Sequence, residues 1–365
     1  MSASETGNTN TAGSDAATTE ISCSRGLAGW LVANDVSLAF TSYQTGQLFL
    51  VGVQQGGVIS VNQIGFTRAM GLWASQQRIY LAALSQIWRL ENMLRPGEKA
   101  NQHFDRCYMP RNAQSTGDVD AHELAVQPNG RVIFVNTSYS CLAEFDLTHS
   151  FRPIWKPPFI SKLAPEDRCH LNGLAMQDGK PRYVTAVCRS DIVNGWRDRR
   201  AEGGVLIDLK DDRIVTEKLS MPHSPRLYNN RLWLLDSGRG YLCKADEKTG
   251  KLEQVAFLPG FLRGLAFHAN AAIVGLSLPR DKSFAGLQLD ANLKQKDADP
   301  WCGIQVIDLR TGDVLHWLRL EGLVRELFDV AVIPGVRCPM AVSPQAPEFA
   351  STVTRVDQFG SLTGD

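Results

Sequence analysis

The amino-acid sequence predicts an all-β fold, a β-propeller of six four-stranded antiparallel blades, with seven blades as the alternative. Two observations support this prediction. A short phrase, built from a turn, a Gly-Leu pair and an alternating apolar strand, recurs closely or loosely at intervals of about 39 to 52 residues, which is the range of propeller blades. Between the copies, β-branched and aromatic runs alternate with Gly- and Asn-rich turns, and helix signals are few.

The recurring phrase is clearest at Asn172–Ala175 and Arg263–Phe267. Looser copies lie at Arg68–Ala74, His122–Val126 and His223–Tyr228. We expect each copy to begin the innermost strand of one blade, because the inner strand opens each unit of a propeller.

The first two units each contain three clear strands. In the first unit, strands are predicted at Ser37–Tyr43, Gln47–Val53 and Val58–Ile64. In the second, they are predicted at Leu72–Ser75, Arg78–Leu84 and Gln86–Glu91. The polar segment Asn92–Asp118 that follows is predicted to be a loop.

The later units repeat the pattern of short strands and tight turns. The third has a Pro-Asn-Gly turn at 128–130, a strong hairpin signal between alternating runs. The inner strands of units three to six are predicted at Glu123–Gln127, Leu174–Gln177, Arg226–Tyr228 and Leu265–His268. Two further insertions are expected as loops, at Ser190–Glu202 and Leu278–Pro300.

One strand near the C-terminus, Phe328–Ile333, has no unit of its own and is followed by Pro334 and Gly335. We predict that it completes the first blade and so closes the ring, which protects open sheet edges. The expected organisation is a disordered leader at 1–25, one propeller domain at 26–336 and a flexible tail at 337–365.

Composition excludes several classes of protein. The 365-residue chain is 44% hydrophobic and has no net charge, so it has enough apolar residues for a core and lacks the basic footprint of a nucleic-acid-binding protein. No apolar run is long enough to span a membrane. The eight cysteines form no C-x-x-C pair and no secretion signal is visible, which predicts reduced thiols and a cytoplasmic location.

A family resemblance supports the same fold. The Asn-Gly-Leu-Ala and Arg-Gly-Leu-Ala phrases at 172–175 and 263–266 resemble those of six-bladed propellers of the gluconolactonase/regucalcin and strictosidine-synthase-like kinds. His223–Gly240 also resembles a group of uncharacterised bacterial propeller proteins. The gluconolactonase resemblance implies a divalent metal held in the central channel by Glu, Asn and Asp side chains. Residues of suitable type are Glu123, Asn172, Asp236 and Asp329.

Three of the seven histidines, His122, His170 and His223, precede successive inner strands, where a propeller brings distant residues to one channel. Imidazole suits Zn or Fe, and three protein ligands leave a position for water or substrate. We therefore predict a divalent metal site, with Zn, Fe or Ca as candidates. The alternative is that each imidazole caps a strand or a blade loop, and unequal spacings before the strands favour that alternative.

Arginines alternate with these histidines along the chain. Because an Arg fork matches a carboxylate or phosphate, we predict that Arg68, Arg226 and Arg263 bind an anionic ligand. The alternative is pairing between blades, with Glu123, Asp236 or Asp329. Asn172 is predicted to orient the ligand, with capping of a turn as its alternative.

Two functions follow from these side chains. The first is a metal-dependent hydrolase or lyase acting on a small anionic molecule or a peptide, with Glu123 or Asp329 as base or fourth ligand. The second is a non-catalytic propeller that binds a peptide or protein through its channel face or insertion loops. The fold alone does not select between them.

Overall fold

Six antiparallel sheets follow one another around a central axis in the computed structural model, which describes residues 18–279 and 286–355. The innermost strands of neighbouring sheets contact one another in a closed circle. The predicted propeller is therefore confirmed, with six blades and not seven. Three short α-helices and one turn of 3-10 helix complete the described elements: Leu27–Ala33, Gln288–Gln295, Pro347–Ser351 and Arg197–Arg199.

Each blade contains four antiparallel strands that follow one another outwards from the axis. In that order, the strands of blade 1 are Val330–Pro334, Val36–Ser42, Gln47–Val53 and Ile59–Gly65. Those of blade 2 are Leu72–Ala74, Arg78–Ala82, Gln86–Asn92 and Arg106–Ser115. Those of blade 3 are Ala121–Val126, Val132–Asn136, Cys141–Glu144 and Arg152–Trp155.

The second half of the ring has the same arrangement. The strands of blade 4 are Leu171–Gln177, Lys180–Ala186, Gly204–Asp208 and Arg213–Leu219. Those of blade 5 are Pro222–Tyr228, Arg231–Asp236, Tyr241–Ala245 and Leu252–Phe257. Those of blade 6 are Phe261–His268, Ala271–Ser277, Cys302–Asp308 and Val314–Gly322.

The ring closes within blade 1, as predicted. Val330–Pro334 pairs antiparallel with Val36–Ser42, so the innermost strand of the first blade comes from the far end of the chain. A second closure was not predicted: Thr19–Cys23 pairs with Val314–Gly322 and forms a fifth, outermost strand of blade 6. Both junctions tie residues near the two ends of the chain to the ring.

The ordered body extends past the expected limits of 26–336. The strand Thr19–Cys23 lies within the segment expected as a disordered leader, and Pro339–Ala341 within the expected tail pairs in parallel with Arg106–Ser115. The expectations for residues 1–17 and 356–365 lie outside the described residues. The segment Asn92–Asp118, predicted to be a loop, contains Arg106–Ser115, which is the outer strand of blade 2. Several residues of this strand are polar and half-exposed, so the sequence pattern did not indicate a strand.

The core lies between blades. Each of six apolar clusters joins the facing sides of two adjacent sheets, as where Leu48 and Leu50 of blade 1 meet Ile79 and Leu81 of blade 2. Because both faces of a blade are covered, middle strands such as Val36–Ser42 are buried along their whole length. This accounts for continuous apolar runs where a one-sided sheet would show alternation.

All eight cysteines are free thiols, as expected from their scattered positions. Among the described residues, no helix combines the length and the apolar character needed to cross a lipid bilayer.

Candidate functional site

The inner strands of blades 2 to 5 are each preceded by a residue with left-handed backbone. These leading residues are Arg68, Asp120, His170 and Met221, with φ of 54°, 52°, 50° and 47°. None is Gly, so each holds a conformation that is unfavourable for its side chain. The same backbone feature is thus repeated ahead of four successive inner strands, at one end of the channel.

Just beyond the leading residues, the inner strands of blades 3 to 6 carry β-bulges. The pairing register shifts opposite His122 and Glu123, at Asn172, between His223 and Arg226, and at Gly264. A bulge adds a residue to the strand and re-aims its side chains, which breaks the strict alternation of faces. Gly264 has φ of 77°, and a Cβ there would lie 2.5 Å from the Val330 backbone nitrogen.

All four leading residues line one cavity of about 520 Å³ at the end of the channel. Its wall is completed by side chains from blades 1, 2, 3 and 6, from the segment before blade 4's first strand and from the loop after its second strand. The lining residues are Tyr43, Arg68, Met70, Asp120, His122, Asp167, His170, Trp196, Arg197, Asp198, Arg200, Met221, Arg263 and Phe328. Of the predicted site residues, Arg68, His122, His170 and Arg263 therefore share this cavity.

One group of side chains that could hold a metal ion, called here the metal-binding group, lies in the cavity wall. Asp120, His122 and His170 each offer one ligand atom, and these atoms lie within 4.8 Å of one another. The rings of His122 and His170 meet edge to face with centroids 5.0 Å apart. Two imidazoles and a carboxylate are a donor set suited to Zn or Fe.

The hydrogen bonds of His122 determine its tautomer. Its Nδ1 lies 2.9 Å from the Asp120 carbonyl oxygen and 2.8 Å from Thr137 Oγ1. Because Thr137 donates its own proton to the Leu171 carbonyl, both neighbours of Nδ1 accept, and the proton must reside on Nδ1. Burial lowers the pKa of His122 to about 4, so Nε2 has a free lone pair at neutral pH.

The tautomer of His170 is also fixed with its proton on Nδ1, in this case by a carboxylate. Its Nδ1 donates to Asp167, with Oδ2 at 2.9 Å. The same Oδ2 accepts a hydrogen bond of 2.7 Å from Trp196 Nε1, and the Trp196 ring stacks on His170 with centroids 4.2 Å apart. A carboxylate behind an imidazole fixes its tautomer and strengthens it as a metal ligand.

His223 does not belong to the metal-binding group. It stands at the position equivalent to His122, two residues after a leading residue, and its Nδ1 donates to the Met221 carbonyl at 2.8 Å. His170 is itself a leading residue, so the three predicted ligands occupy two different positions. In blade 3 the leading residue is Asp120, so Asp120 occupies the position that His170 occupies in blade 4. Burial, reinforced by the charge of Arg263, lowers the pKa of His223 well below its usual value.

Arg263 is a buried cation facing the cavity without an anionic contact. Its guanidinium lies over the rings of Tyr43, Phe261 and Phe328, at 5.4, 5.9 and 4.6 Å from their centroids. Within residues 18–279 and 286–355, it makes no side-chain hydrogen bond and no ion pair. Burial lowers the pKa of Arg263 to about 10, against the opposing effect of Asp120 and Glu326, and it remains charged at neutral pH.

Arg68 is already paired at the mouth of the cavity. It donates to both carboxylate oxygens of Asp118, at 2.6 and 3.2 Å, and lies 3.4 Å from Asp120. Burial raises the pKa of Asp120, but the electrostatic effects of the nearby basic side chains, led by His122 and His170, outweigh it and hold that pKa below its usual value. Asp120 is thus ionised, as a metal ligand requires.

The predicted residues Glu123, Arg226 and Asp329 form a separate group, the axial cluster. Arg226 Nη2 lies 2.5 Å from Glu123 and 3.9 Å from Asp329, and the same guanidinium donates to the carbonyl oxygens of Leu174 and Leu265. Arg226 of blade 5 thereby reaches blades 1, 3, 4 and 6 across the axis. This is the inter-blade pairing that the sequence left open as the alternative to anion binding.

Both carboxylates of the axial cluster also accept hydrogen bonds from backbone amides. Glu123 accepts from the Leu174 amide and Asp329 accepts from the equivalent Leu72 amide, the latter at 2.8 Å. Burial and the neighbouring Glu123 raise the pKa of Asp329 to about 7. These residues do not line the cavity, and a guanidinium already lies between the carboxylates. The Glu, Asn and Asp metal set implied by the gluconolactonase resemblance therefore does not fit here.

The remaining predicted residues lie nearby. Asn172 is buried, with Oδ1 accepting a hydrogen bond of 2.6 Å from Thr185 Oγ1. Asp236 pairs with Arg239 and accepts from the Ser220 amide. The sequence reasoning missed Asp120 as a ligand, together with Asp167 and Trp196. The sequence did contain a signal for Asp120, because Asp118–Glu123 contains three carboxylates and an imidazole.

The fold and this cavity define a six-bladed propeller with a polar, aromatic-walled site at one end of its channel. The chain belongs to the family described as a domain of unknown function (DUF4915), whose model matches residues 25–342. No curated protein matches the chain.

Solved structures share the fold widely, with 411 matching chains. One is the crystal structure of a nidogen/laminin complex, with a TM-score of 0.51 and 12% sequence identity. That match covers 83% of this chain and 100% of the other. At this identity the similarity supports the propeller architecture alone, so any function must be argued from the cavity.

Proposed function

We propose that this protein is a metal-dependent enzyme, a hydrolase or lyase, that binds a divalent Zn or Fe ion through Asp120, His122 and His170. Its substrate is a small anion whose carboxylate binds Arg263. The observation that carries the proposal is the coincidence, in one cavity, of a three-residue metal donor set with a buried guanidinium that has no ion-pair partner among the described residues.

The donor set supports a catalytic type of metal site. Structural zinc sites are closed by four protein ligands, whereas three protein ligands leave positions for water and substrate. A metal ion at such a site supplies Lewis acidity or a water of lowered pKa. The chain's own part is to hold His122 and His170 with their Nε2 lone pairs free, through Asp120, Thr137 and Asp167.

Arg263 supports an anionic substrate. A buried guanidinium without a counter-ion is costly, and pairing with a planar carboxylate would offset that cost through two parallel hydrogen bonds. The three aromatic rings around Arg263 fix its orientation and exclude water, which strengthens its attraction for an anion.

The proposal is tested first by the metal content of the purified full-length chain, measured by elemental analysis and by titration with Zn²⁺ after chelation. We expect one metal ion per chain. His122→Ala and His170→Ala should each reduce metal affinity at least 100-fold. His149→Ala is the matched control, because His149 is 77% exposed and lies against Asp146 in an outer loop, and it should bind metal as the parent does.

A folded protein that binds no Zn²⁺ or Fe²⁺ would overturn the metal-dependent function. It would favour the second function predicted from the sequence, a non-catalytic propeller that binds a peptide or protein partner. Loss of metal in the His149 variant as well would show non-specific binding and would also count against the proposed site.

A further inference from the structure

The insertion Ser190–Glu202 forms one side of the cavity. It follows the second strand of blade 4, and its contribution to the cavity wall consists of Trp196, Arg197, Asp198 and Arg200. Beyond Ser190, Trp196 is the one buried residue of this segment, with 9% of its surface exposed. The way in which Trp196 is held therefore decides whether this side of the cavity is in place.

Two contacts join Trp196 to the metal-binding group. Its Nε1 donates a hydrogen bond of 2.7 Å to Asp167 Oδ2, the same oxygen that accepts from His170 Nδ1 at 2.9 Å. Its ring also stacks on the His170 ring, with an angle of 28° between the two planes. Trp196 thus contacts both a proposed metal ligand and the carboxylate that orients this ligand.

The neighbouring cavity residue depends on Trp196 in turn. The guanidinium of Arg197 lies over the Trp196 ring, 4.6 Å from its centroid. Arg197 is otherwise exposed, so its position over the cavity follows that of the indole.

The first part of the insertion is held away from the cavity. The carboxylate of Asp191 pairs with Arg168 and accepts a hydrogen bond from the Ser161 amide. The next residues project into solvent, and Ile192 is 66% exposed. A segment with few buried contacts opens locally at a small cost in free energy, so loss of the Trp196 contacts would be enough to open this one.

A metal ion bound to His170 would strengthen the contacts of Trp196. Coordination through Nε2 fixes the orientation of the imidazole and makes its Nδ1–H a stronger donor to Asp167. Both partners of Trp196 are then held where they contact the indole. Coupling between two sites is reciprocal, so closure of the insertion must raise metal affinity by the same factor.

We infer that the insertion Ser190–Glu202 is a lid whose closed position is coupled to metal binding through Trp196. Trp196 is a positioning residue for His170, and metal binding favours the closed lid. The cavity wall is therefore complete only in the metal-loaded chain, so that metal binds before the anionic substrate. This inference rests on the metal-binding part of the proposed function and adds a control of the same site.

Limited digestion of the full-length chain with trypsin tests the lid, because Arg199 and Arg200 lie within it. Cleavage is followed by mass spectrometry with Zn²⁺ and after chelation. It is expressed relative to cleavage after Lys248, an exposed residue in a turn of blade 5, which cancels any effect of the metal on the protease. We expect Zn²⁺ to slow cleavage within the lid about 10-fold, since cleavage follows the population of the open segment.

Trp196→Leu tests the coupling. Leucine keeps an apolar side chain against Val187 and Met221 but lacks both contacts with the metal-binding group. Zn²⁺ affinity should fall about 10-fold, and cleavage within the lid should be the same with and without Zn²⁺. Trp155→Leu is the matched control, because Trp155 Nε1 donates a similar hydrogen bond of 2.8 Å to Asp212 outside the cavity, and it should match the parent in both measurements.

The two measurements also check each other. The loss of Zn²⁺ affinity in Trp196→Leu and the protection of the lid by Zn²⁺ in the parent should agree within about 3-fold, because both report one coupling. A purely structural role of Trp196 would instead increase cleavage by the same factor with and without Zn²⁺, which would contradict the inference.

Bound Zn²⁺ without protection of the lid, or a lid that resists cleavage in both states, would overturn this inference and leave the metal-dependent function standing. Absence of Zn²⁺ binding, measured on the same samples, would overturn both proposals. Should Trp196→Leu fail to fold, the protection measured on the parent chain still decides.

Discussion

Two arginines near the axis of this propeller have opposite environments. Arg226 donates to the carbonyl oxygens of two neighbouring blades and pairs with Glu123, whereas the guanidinium of Arg263 has aromatic rings around it and no ion pair among the described residues. In the first arrangement, the buried cation is paired with groups of the protein itself. The second leaves a cation ready for a ligand.

In this repeat fold, arginines from similar sequence phrases have different roles. Sequence phrases of the same kind supply both arginines, yet one lies in the axial cluster and one in the cavity wall. A buried group whose partners all lie within the protein contributes to stability. A buried group that lacks partners lowers stability and is retained because function requires it. Substitutions in the two environments should therefore have different effects.

The largest expected effect is on stability, from Arg226→Met. Removing this guanidinium leaves Glu123 and Asp329 buried together without a counter-charge, which should lower the free energy of unfolding by about 3 kcal/mol. Urea denaturation measures the change. Arg189→Met is the control, because Arg189 and its partner Glu217 are both about half exposed, and it should change stability by less than about 0.5 kcal/mol. Equal effects of the two substitutions would refute the structural role of the axial cluster.

The next effect is on metal affinity, from Asp167→Asn. The carboxylate of Asp167 holds His170 and Trp196 together, so the substitution should weaken Zn²⁺ binding about 10- to 100-fold without changing the ligands themselves. Zn²⁺ titration followed by Trp fluorescence measures the change. Asp146→Asn alters the same kind of Asp–His contact at exposed His149 and should have no effect on metal. An unchanged affinity in the Asp167 variant would argue against His170 as a ligand.

An effect that accumulates only over several pH units concerns the titration of Asp329. Because the folded-state pKa of Asp329 is raised to about 7, the folded protein keeps a proton that the unfolded chain releases above about pH 4. This contribution to stability is present at low pH and is lost as the pH rises to 7, by at most about 1.4 kcal/mol per pH unit. Asp329→Asn should remove that decline, so its stability relative to the parent should increase from pH 5 to pH 8. Urea denaturation at several pH values would contradict the prediction if the two profiles run parallel.

The smallest change in stability is expected from Arg263→Met. Loss of the cation–ring contacts is offset by the removal of a buried charge and by sulfur–aromatic contacts, so the free energy of unfolding should stay within about 1 kcal/mol of the parent. The affinity for a small carboxylate such as succinate should fall about 100-fold in the same variant, measured by calorimetry, because Arg263 is the group proposed to bind the carboxylate. A loss of stability like that of Arg226→Met would mean that Arg263 belongs to the structural part of the channel.

Much of the fold could be predicted from the sequence, because the blades repeat. The Asn-Gly turn at 129–130 and the recurrent inner-strand phrases indicated the units, and the strand Phe328–Ile333 without a unit indicated closure. The outer strand Arg106–Ser115 was missed because Pro110 and the polar residues of its second half interrupt the apolar pattern of a strand.

The site was predicted only in part, because register decides which side chains meet. The sequence groups His122, His170 and His223 by residue type, but the bulges and the left-handed leading residues place His170 level with Asp120 and place His223 level with His122. A one-residue shift redirects a strand's side chains, and no single sequence shows where a bulge will occur.

The double junction between the first and last blades has a consequence for biosynthesis. Blade 1 cannot add its innermost strand until residue 334 has left the ribosome. The ring therefore closes only after the other five blades have been synthesised. In the folded protein, force applied on the N-terminal side reaches the hydrogen bonds of blade 6 first, and force applied on the C-terminal side reaches those of blade 2 and then those of blade 1.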